Sequence, residues 1–99
     1  MPITVVLVGQ GQAAGEAISL PAGIEAAGIL SAVRARLTEG TPNTFTVTTL
    51  TVVSGTPSSG QIALSSDGKS IILGDTFAET DLLILVLLLK GETVKPTTV

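Results

Sequence analysis

A run of eight consecutive apolar residues, Leu82 to Leu89, restricts the possible folds of this chain more than any other feature of its sequence. The run lies between Asp81 and Lys90-Gly91 and is far shorter than the roughly 20 residues that a membrane-spanning helix needs. Such a run is typical of a strand that is covered on both faces. We therefore predict a central strand with one face in the core and the other against a subunit or beneath loops. The residues assigned to the subunit contact are Leu83, Leu85, Leu87 and Leu89.

The composition indicates that the chain has a partner. Val, Ile and Leu account for 31 of its 99 residues, and 13% of the residues are charged, compared with about 25% in an average soluble domain. A domain of this length leaves roughly a third of its unfolded surface exposed after folding. Few charged residues are available to cover that surface. Because large exposed apolar patches mark interfaces, part of the surface is expected to face another molecule.

The residue types that are missing exclude several common chemistries. Cysteine, histidine, tryptophan and tyrosine are absent, so disulfides, metal ligation by Cys or His, and catalytic sets built on His or Cys are impossible. Asp and Glu carboxylates remain available for acid–base chemistry, but no two of them occur in a recognisable catalytic motif. We therefore predict no enzyme activity and no cofactor or metal. The net charge of −3 also argues against nucleic acid and acidic membranes as partners.

Strand-type segments and turn signals alternate along the chain. The segments are residues 3–8, 16–20, 29–38, 44–53, 61–65, 70–73 and 82–89. Asp67-Gly68 predicts a hairpin between two of them, and Phe77 is the expected core anchor of the loop over residues 74–81. The pattern predicts an all-β fold, a β-sandwich or jelly-roll-like barrel of about seven short, mainly antiparallel strands. We expect one β domain over residues 1–90 and an extended C-terminal tail over residues 91–99.

Two segments leave details open. Residues 24–38 carry apolar residues at both helical and strand spacing. We favour a strand from about residue 29, because Gly28 disfavours a helix and the rest of the chain is β-type. Within residues 44–53 the apolar positions change phase, which predicts a bulge near Thr48-Thr49.

The segment Gly9-Gln10-Gly11-Gln12-Ala13-Ala14 follows the first strand and matches the G-x-G-x-x-A pattern of dinucleotide-binding domains. Such a site needs a helix after the second glycine, but Pro21 disfavours one. Glu39 lies 28 residues beyond Gly11, further than the about 20 expected for the acid that binds the ribose. Nucleotide binding is therefore the less favoured alternative. Instead, Gly9, Gln10, Gly11 and Gln12 are assigned to a flexible loop that contacts a partner.

The charged residues suggest two further contacts. Arg34 and Arg36 project from one face of the third strand segment, where they meet either solvent or the carboxylates of a neighbouring subunit. Asp75, Glu79 and Asp81 form an acidic cluster before the last strand, but their spacing is not that of a calcium loop. We assign the two arginines to an interface and no metal to the acidic cluster.

Two motifs in the second half of the chain carry a resemblance. Residues 54–62 read SGTPSSGQI, a loop-to-strand step of the form S-G-x-P-x-x-G-Q-[VI], and residues 81–85 begin the last strand as D-x-L-x-[VIL]. With these motifs, residues 29–91 resemble the small head-decoration (cement) proteins and other minor virion proteins of tailed bacteriophages. The chain departs from that pattern at residues 86–89, Val-Leu-Leu-Leu, where an aromatic residue is often found.

The resemblance implies a non-enzymatic virion protein that binds the capsid surface and braces the assembled head. The implied partners are the major capsid protein and further copies of this chain, as a dimer or trimer. We assign core and subunit contact to residues 3–8 and 82–89. Contact with the shell is assigned to the loop over residues 9–15 and to the tail, including Val94, Lys95 and Pro96, because loops and terminal arms can add strands to neighbouring sheets. A tail, fibre or other surface-assembly β module is the main alternative.

Overall fold

The computed structural model describes residues 2–90, which form eight β-strands and no helix. The strands are β1 (Pro2–Val8), β2 (Ala17–Ser19), β3 (Ala26–Thr38), β4 (Thr44–Thr49), β5 (Thr51–Val52), β6 (Gln61–Leu64), β7 (Ser70–Leu73) and β8 (Asp81–Leu89). They form two four-stranded sheets, in the orders β1-β8-β3-β4 and β2-β7-β6-β5. The sheets pack together as a sandwich, which confirms the predicted all-β class with one strand more than expected. Within residues 2–90 there is no helix of the length and hydropathy needed to cross a membrane.

β8 is an interior strand of the first sheet. It lies between β1 and β3 and is antiparallel to both. Its ladder with β1 is regular, from Pro2 opposite Leu88 to Val8 opposite Leu82. A strand in this position has neighbours on both edges and side chains on both faces of a sheet, which suits the unbroken apolar run.

The ambiguous segment is a strand, and it begins earlier than predicted, at Ala26. Its ladder with β8 is irregular between Ala26 and Gly28 and again between Ile29 and Ser31. An irregularity of this kind inserts an extra residue and shifts the alternation of side chains between the two faces. This explains why apolar residues in this segment do not follow a strict period of two.

The predicted bulge near Thr48-Thr49 is wrong, because the chain changes sheets at Leu50. β4 pairs with β3 in the first sheet, whereas β5 pairs in parallel with β6 in the second. Leu50 lies between them, 5% exposed, and its N–H donates a 2.9 Å hydrogen bond to the carbonyl of Ala32. The change of phase in the sequence therefore marks a crossover between layers and not a local kink.

The second sheet follows the local turn signals closely. β6 and β7 form the predicted hairpin, with Leu64 opposite Ile71. Asp67 Oδ1 accepts hydrogen bonds from Ser65 Oγ at 2.6 Å and from the N–H of Lys69 at 3.0 Å, which closes the turn. The core between the two sheets consists mainly of Val5, Ile18, Leu20, Ala26, Ala32, Leu50, Ile62, Ile71, Leu73, Phe77, Leu83, Leu85 and Leu87.

Candidate interaction surface

The two faces of β8 have different surroundings. The odd-numbered side chains face the second sheet: Leu83, Leu85 and Leu87 are fully buried, and Leu89 at the strand end is half-buried. The assignment of Leu83, Leu85 and Leu87 to a subunit contact is thus wrong, because the packing of the second sheet leaves them no exposed surface, whereas the assignment of Leu89 stays a prediction. The face that remains available to a partner is the even-numbered one, at residues 82, 84, 86 and 88.

The solvent side of the β1-β8-β3-β4 sheet is hereafter called the outer face. Residues directly opposite each other in antiparallel strands share a face, so the register identifies its members. We call a set of directly opposite residues on neighbouring strands a row. Two rows cross all four strands. The first consists of Val8, Leu82, Ala35 and Val47, and the second consists of Val6, Ile84, Val33 and Thr49. Shorter rows continue the face at its ends, Leu37 with Phe45 and Thr4 with Val86 and Ser31.

The outer face is apolar and uncharged. Seven large apolar side chains are exposed among the described residues, and five of them belong to these rows: Val6, Val8, Phe45, Val47 and Ile84. Val47 is 65% exposed and Val8 is 59% exposed. The polar members of the rows are hydroxyl residues, and no row contains a charged residue. A contiguous apolar patch of this kind marks an interaction surface.

The apolar segments of the sequence predict the strands of this surface but not the surface itself. Residues 3–8 and 82–89 were both assigned to core and subunit contact, and both strands do contribute to the outer face. A segment that is apolar at every position does not show which alternate residues face inwards. The alternation of Thr with Phe45 and Val47 is a usable signal, because it shows that one side of β4 is apolar.

Arg36 and Asp81 form an ion pair inside the chain, in which Asp81 is buried and the Arg36 side chain is 42% exposed. They are opposite residues of β3 and β8, and the guanidinium donates two hydrogen bonds to the carboxylate, Nε to Oδ1 at 2.7 Å and Nη2 to Oδ2 at 2.8 Å. The N–H of Ala78 donates a further bond to Oδ2 at 2.9 Å. Asp81 has no exposed surface. The hydrogen bonds from Arg36 are the main cause that lowers the pKa of Asp81 below its ordinary value, against the opposing effect of burial.

Arg34 lies on the same side of β3 and faces Asp75, with its Nη1 3.9 Å from Oδ2. Asp75 also accepts hydrogen bonds from the N–H of Gly60 at 2.6 Å and from Ser59 Oγ at 2.7 Å, and these bonds lower its pKa. Both arginines therefore meet carboxylates of their own chain, and their contact with a neighbouring subunit stays a prediction. The arginines also pair with two members of the acidic cluster, and within residues 2–90 no group of three acidic residues is placed to hold a metal ion.

The Gly-rich loop after β1 is tied to the loop that precedes β8. The N–H groups of Gly11 and Gln12 both donate to the carbonyl of Phe77 at 3.0 Å, and the N–H of Phe77 donates to the carbonyl of Gln12 at 2.9 Å. Gln10 and Gly11 are exposed, so part of the loop remains accessible for the predicted shell contact. The helix that a dinucleotide site needs after Gly11 does not form, because the chain turns and enters β2.

Gly9 has a structural role that differs from the predicted partner contact. It is buried, and its N–H donates a 2.9 Å hydrogen bond to the carbonyl of Asp81. A Cβ at this position would overlap the carbonyl oxygen of Ala78. The loop before β8 therefore approaches the end of β1 so closely that only glycine fits.

We predict that Gly9→Ala lowers the free energy of unfolding by about 1–3 kcal/mol, the usual cost of inserting a methyl group into a packed site. Gly28→Ala is the matched control, because nothing lies within 4 Å of its added Cβ. The measurement is urea unfolding followed by far-ultraviolet circular dichroism. Equal midpoints for the two variants would contradict the close approach at Gly9.

Val94, Lys95 and Pro96 lie outside the described residues, so this part of the predicted shell contact has no structural counterpart in residues 2–90. No family model, curated protein or solved structure matches the chain. The function of the outer face is therefore inferred from its own chemistry and geometry.

Proposed function

We propose that this chain is a non-enzymatic virion structural protein that binds the surface of an assembled capsid and stabilises it, as a decoration or cement protein. The observation that carries the proposal is the outer face, an apolar and uncharged sheet surface in a chain with few charged residues elsewhere. Exposed apolar surface costs about 25 cal/mol for each Å² that stays in contact with water. A protein that functions within a larger assembly covers such a surface with its neighbours. The resemblance of residues 29–91 to virion proteins supports the capsid as that assembly.

The fold is suited to a bracing role. β1 and β4 are the two edge strands of the first sheet, and an edge strand presents backbone N–H and C=O groups with which a neighbouring strand can pair. The partly exposed loop over residues 9–15 follows one of these edges. Weak contacts of this kind, repeated over a capsid lattice, combine into strong attachment.

The direct test is quantitative mass spectrometry of purified virions from the phage whose genome encodes this chain. We expect many copies per particle, in a fixed ratio to the major capsid protein. A few copies per particle would instead indicate a tail or fibre module. Absence of the chain from purified particles would contradict a virion role altogether.

Deletion of residues 91–99 provides a second test, because the tail is assigned to the shell contact and not to the core. We expect the shortened chain to keep its far-ultraviolet spectrum and its unfolding midpoint while its binding to isolated capsids weakens about tenfold or more, as the loss of one contact in a multivalent attachment predicts. Co-sedimentation with capsids measures the binding. A shortened chain that fails to fold would show that the tail belongs to the core.

A further inference from the structure

We infer that the outer face is the contact surface between two copies of this chain, which pack sheet against sheet as a symmetric dimer. The inference deepens the proposed function and rests on it only in treating the outer face as an assembly contact. The dimer needs no capsid, so it can be tested on the purified protein.

The absence of charge on the outer face favours a second copy over a different protein. A two-fold symmetric interface places the same patch of both subunits against itself, so a charged residue near the axis lies close to its own copy. The two central rows contain no charged residue. Arg34 and Arg36 of β3 are directed to the opposite side of the sheet, where they meet Asp75 and Asp81. An interface with a different protein usually gains specificity from complementary charges, and the rows of the outer face contain no charged residue to provide them.

The size of the outer face suits a weak, reversible dimer. At the usual strand separation and rise per residue, the thirteen positions in these rows cover roughly 400 Å² on each copy. Two copies in contact therefore remove about 800–900 Å² from water, which is in the range of weak, reversible interfaces. The cross-strand rows extend this surface across the whole sheet from Val6 and Val8 on β1 to Val47 on β4.

The shape of the face also suits a second copy. Two sheets with the same right-handed twist pack face to face at about 10 Å with their strands about 30° apart, which is how the layers of a sandwich fit together. The central rows are rich in Val and Ile, whose branched side chains pack well on a pleated surface. The dimer would therefore continue the layered packing of the monomer by one further interface.

The test is sedimentation equilibrium of the full chain between low and high micromolar concentration. We expect a species of twice the 9.9 kDa chain mass. Ile84→Lys places a lysine at the centre of the face in both copies and should raise the dimer dissociation constant about 100-fold or more, because buried unpaired charges are strongly unfavourable. Val52→Lys is the matched control, since Val52 is also exposed, at 42%, but belongs to the second sheet.

Val6→Thr is a milder variant that preserves the branched shape of the side chain and its preference for strands. It should weaken the dimer about tenfold, because it buries a hydroxyl group in each copy. Circular dichroism confirms that each variant is folded, and Val6→Thr decides the question if Ile84→Lys does not fold. A monomeric or trimeric parent chain, or a dimer unaffected by changes at the outer face, would overturn the inference. A dimer that is absent from virions would contradict the proposed function alone.

Discussion

Leu85→Ala is expected to lower the free energy of unfolding by about 4 kcal/mol, within the range of roughly 2–5 kcal/mol found for buried leucines. Leu85 is fully buried and lies on β8, an interior strand with neighbours on both edges. Its loss removes apolar contacts and leaves a cavity that surrounding strands cannot close without breaking their ladders. The total free energy of unfolding of a small domain is about 5–15 kcal/mol. We therefore expect this variant to unfold at a much lower urea concentration than the parent chain.

The matched control is Leu30→Ala, which makes the same chemical change at a leucine that is 55% exposed. We expect this variant to lose less than about 1 kcal/mol, as most surface substitutions do. Both variants are compared with the parent by urea unfolding at one protein concentration, because association shifts the apparent stability of a protein that forms oligomers. Similar losses for Leu85→Ala and Leu30→Ala would show that the odd-numbered face of β8 is not the core.

Arg36→Ala is the second change with a large expected effect, about 3 kcal/mol, the lower end of the range for buried ion pairs, because the Arg36 side chain is itself 42% exposed. Asp81 has no exposed surface beside Arg36, and within residues 2–90 the change leaves the N–H of Ala78 as the remaining donor to its carboxylate. The control is Lys90→Ala, which breaks an ion pair of similar type with Glu25, at 3.1 Å, between side chains that are 56% and 42% exposed. An exposed pair contributes about 0–1 kcal/mol, so the control should be nearly neutral in urea unfolding. Equal losses of unfolding free energy in Arg36→Ala and Lys90→Ala would show that the burial of Asp81 does not strengthen its ion pair.

The same ion pair predicts how stability depends on pH. Arg36 lowers the pKa of Asp81 in the folded chain, so folding favours the ionised carboxylate. This stabilisation is present above the unfolded pKa of about 3.9 and is lost as the pH falls through the folded value. The parent chain should therefore lose stability in urea unfolding below about pH 4, and Asp81→Asn should reduce that dependence. A parent and an Asp81→Asn variant with identical pH profiles would contradict this role of Asp81.

The local features of the fold were predictable from the sequence. Asp67-Gly68 predicted the β6–β7 hairpin, and Phe77 predicted the anchor of the following loop, because turn residues and isolated aromatic residues act within a few positions. The crossover at Leu50 was not predictable in the same way. A change of phase looks the same in the sequence whether the strand bends within one sheet or transfers to another, and only the partners of β4 and β5 distinguish the two.

The candidate site shows the same division. The apolar runs predict strands at residues 3–8 and 82–89 and indicate that part of their surface meets a partner. The run alone does not show that Leu83, Leu85 and Leu87, assigned to this contact, are covered by the second sheet. The spacing of Arg34 and Arg36 predicts that they face solvent or another subunit, whereas their carboxylate partners lie about 40 residues further along the same chain. Long-range partners of this kind carry no local signal.

The sequence by itself determined that this chain is all-β, with strands separated by turns and with more apolar surface than one small core accounts for. These properties follow from residue types and short-range spacing, which do not depend on the rest of the fold. Only the tertiary structure decided which side of β8 is core and which side is the outer face. An unbroken apolar run has no alternation, so the choice depends on where the second sheet packs and on the ion pair that holds Asp81 beside Arg36.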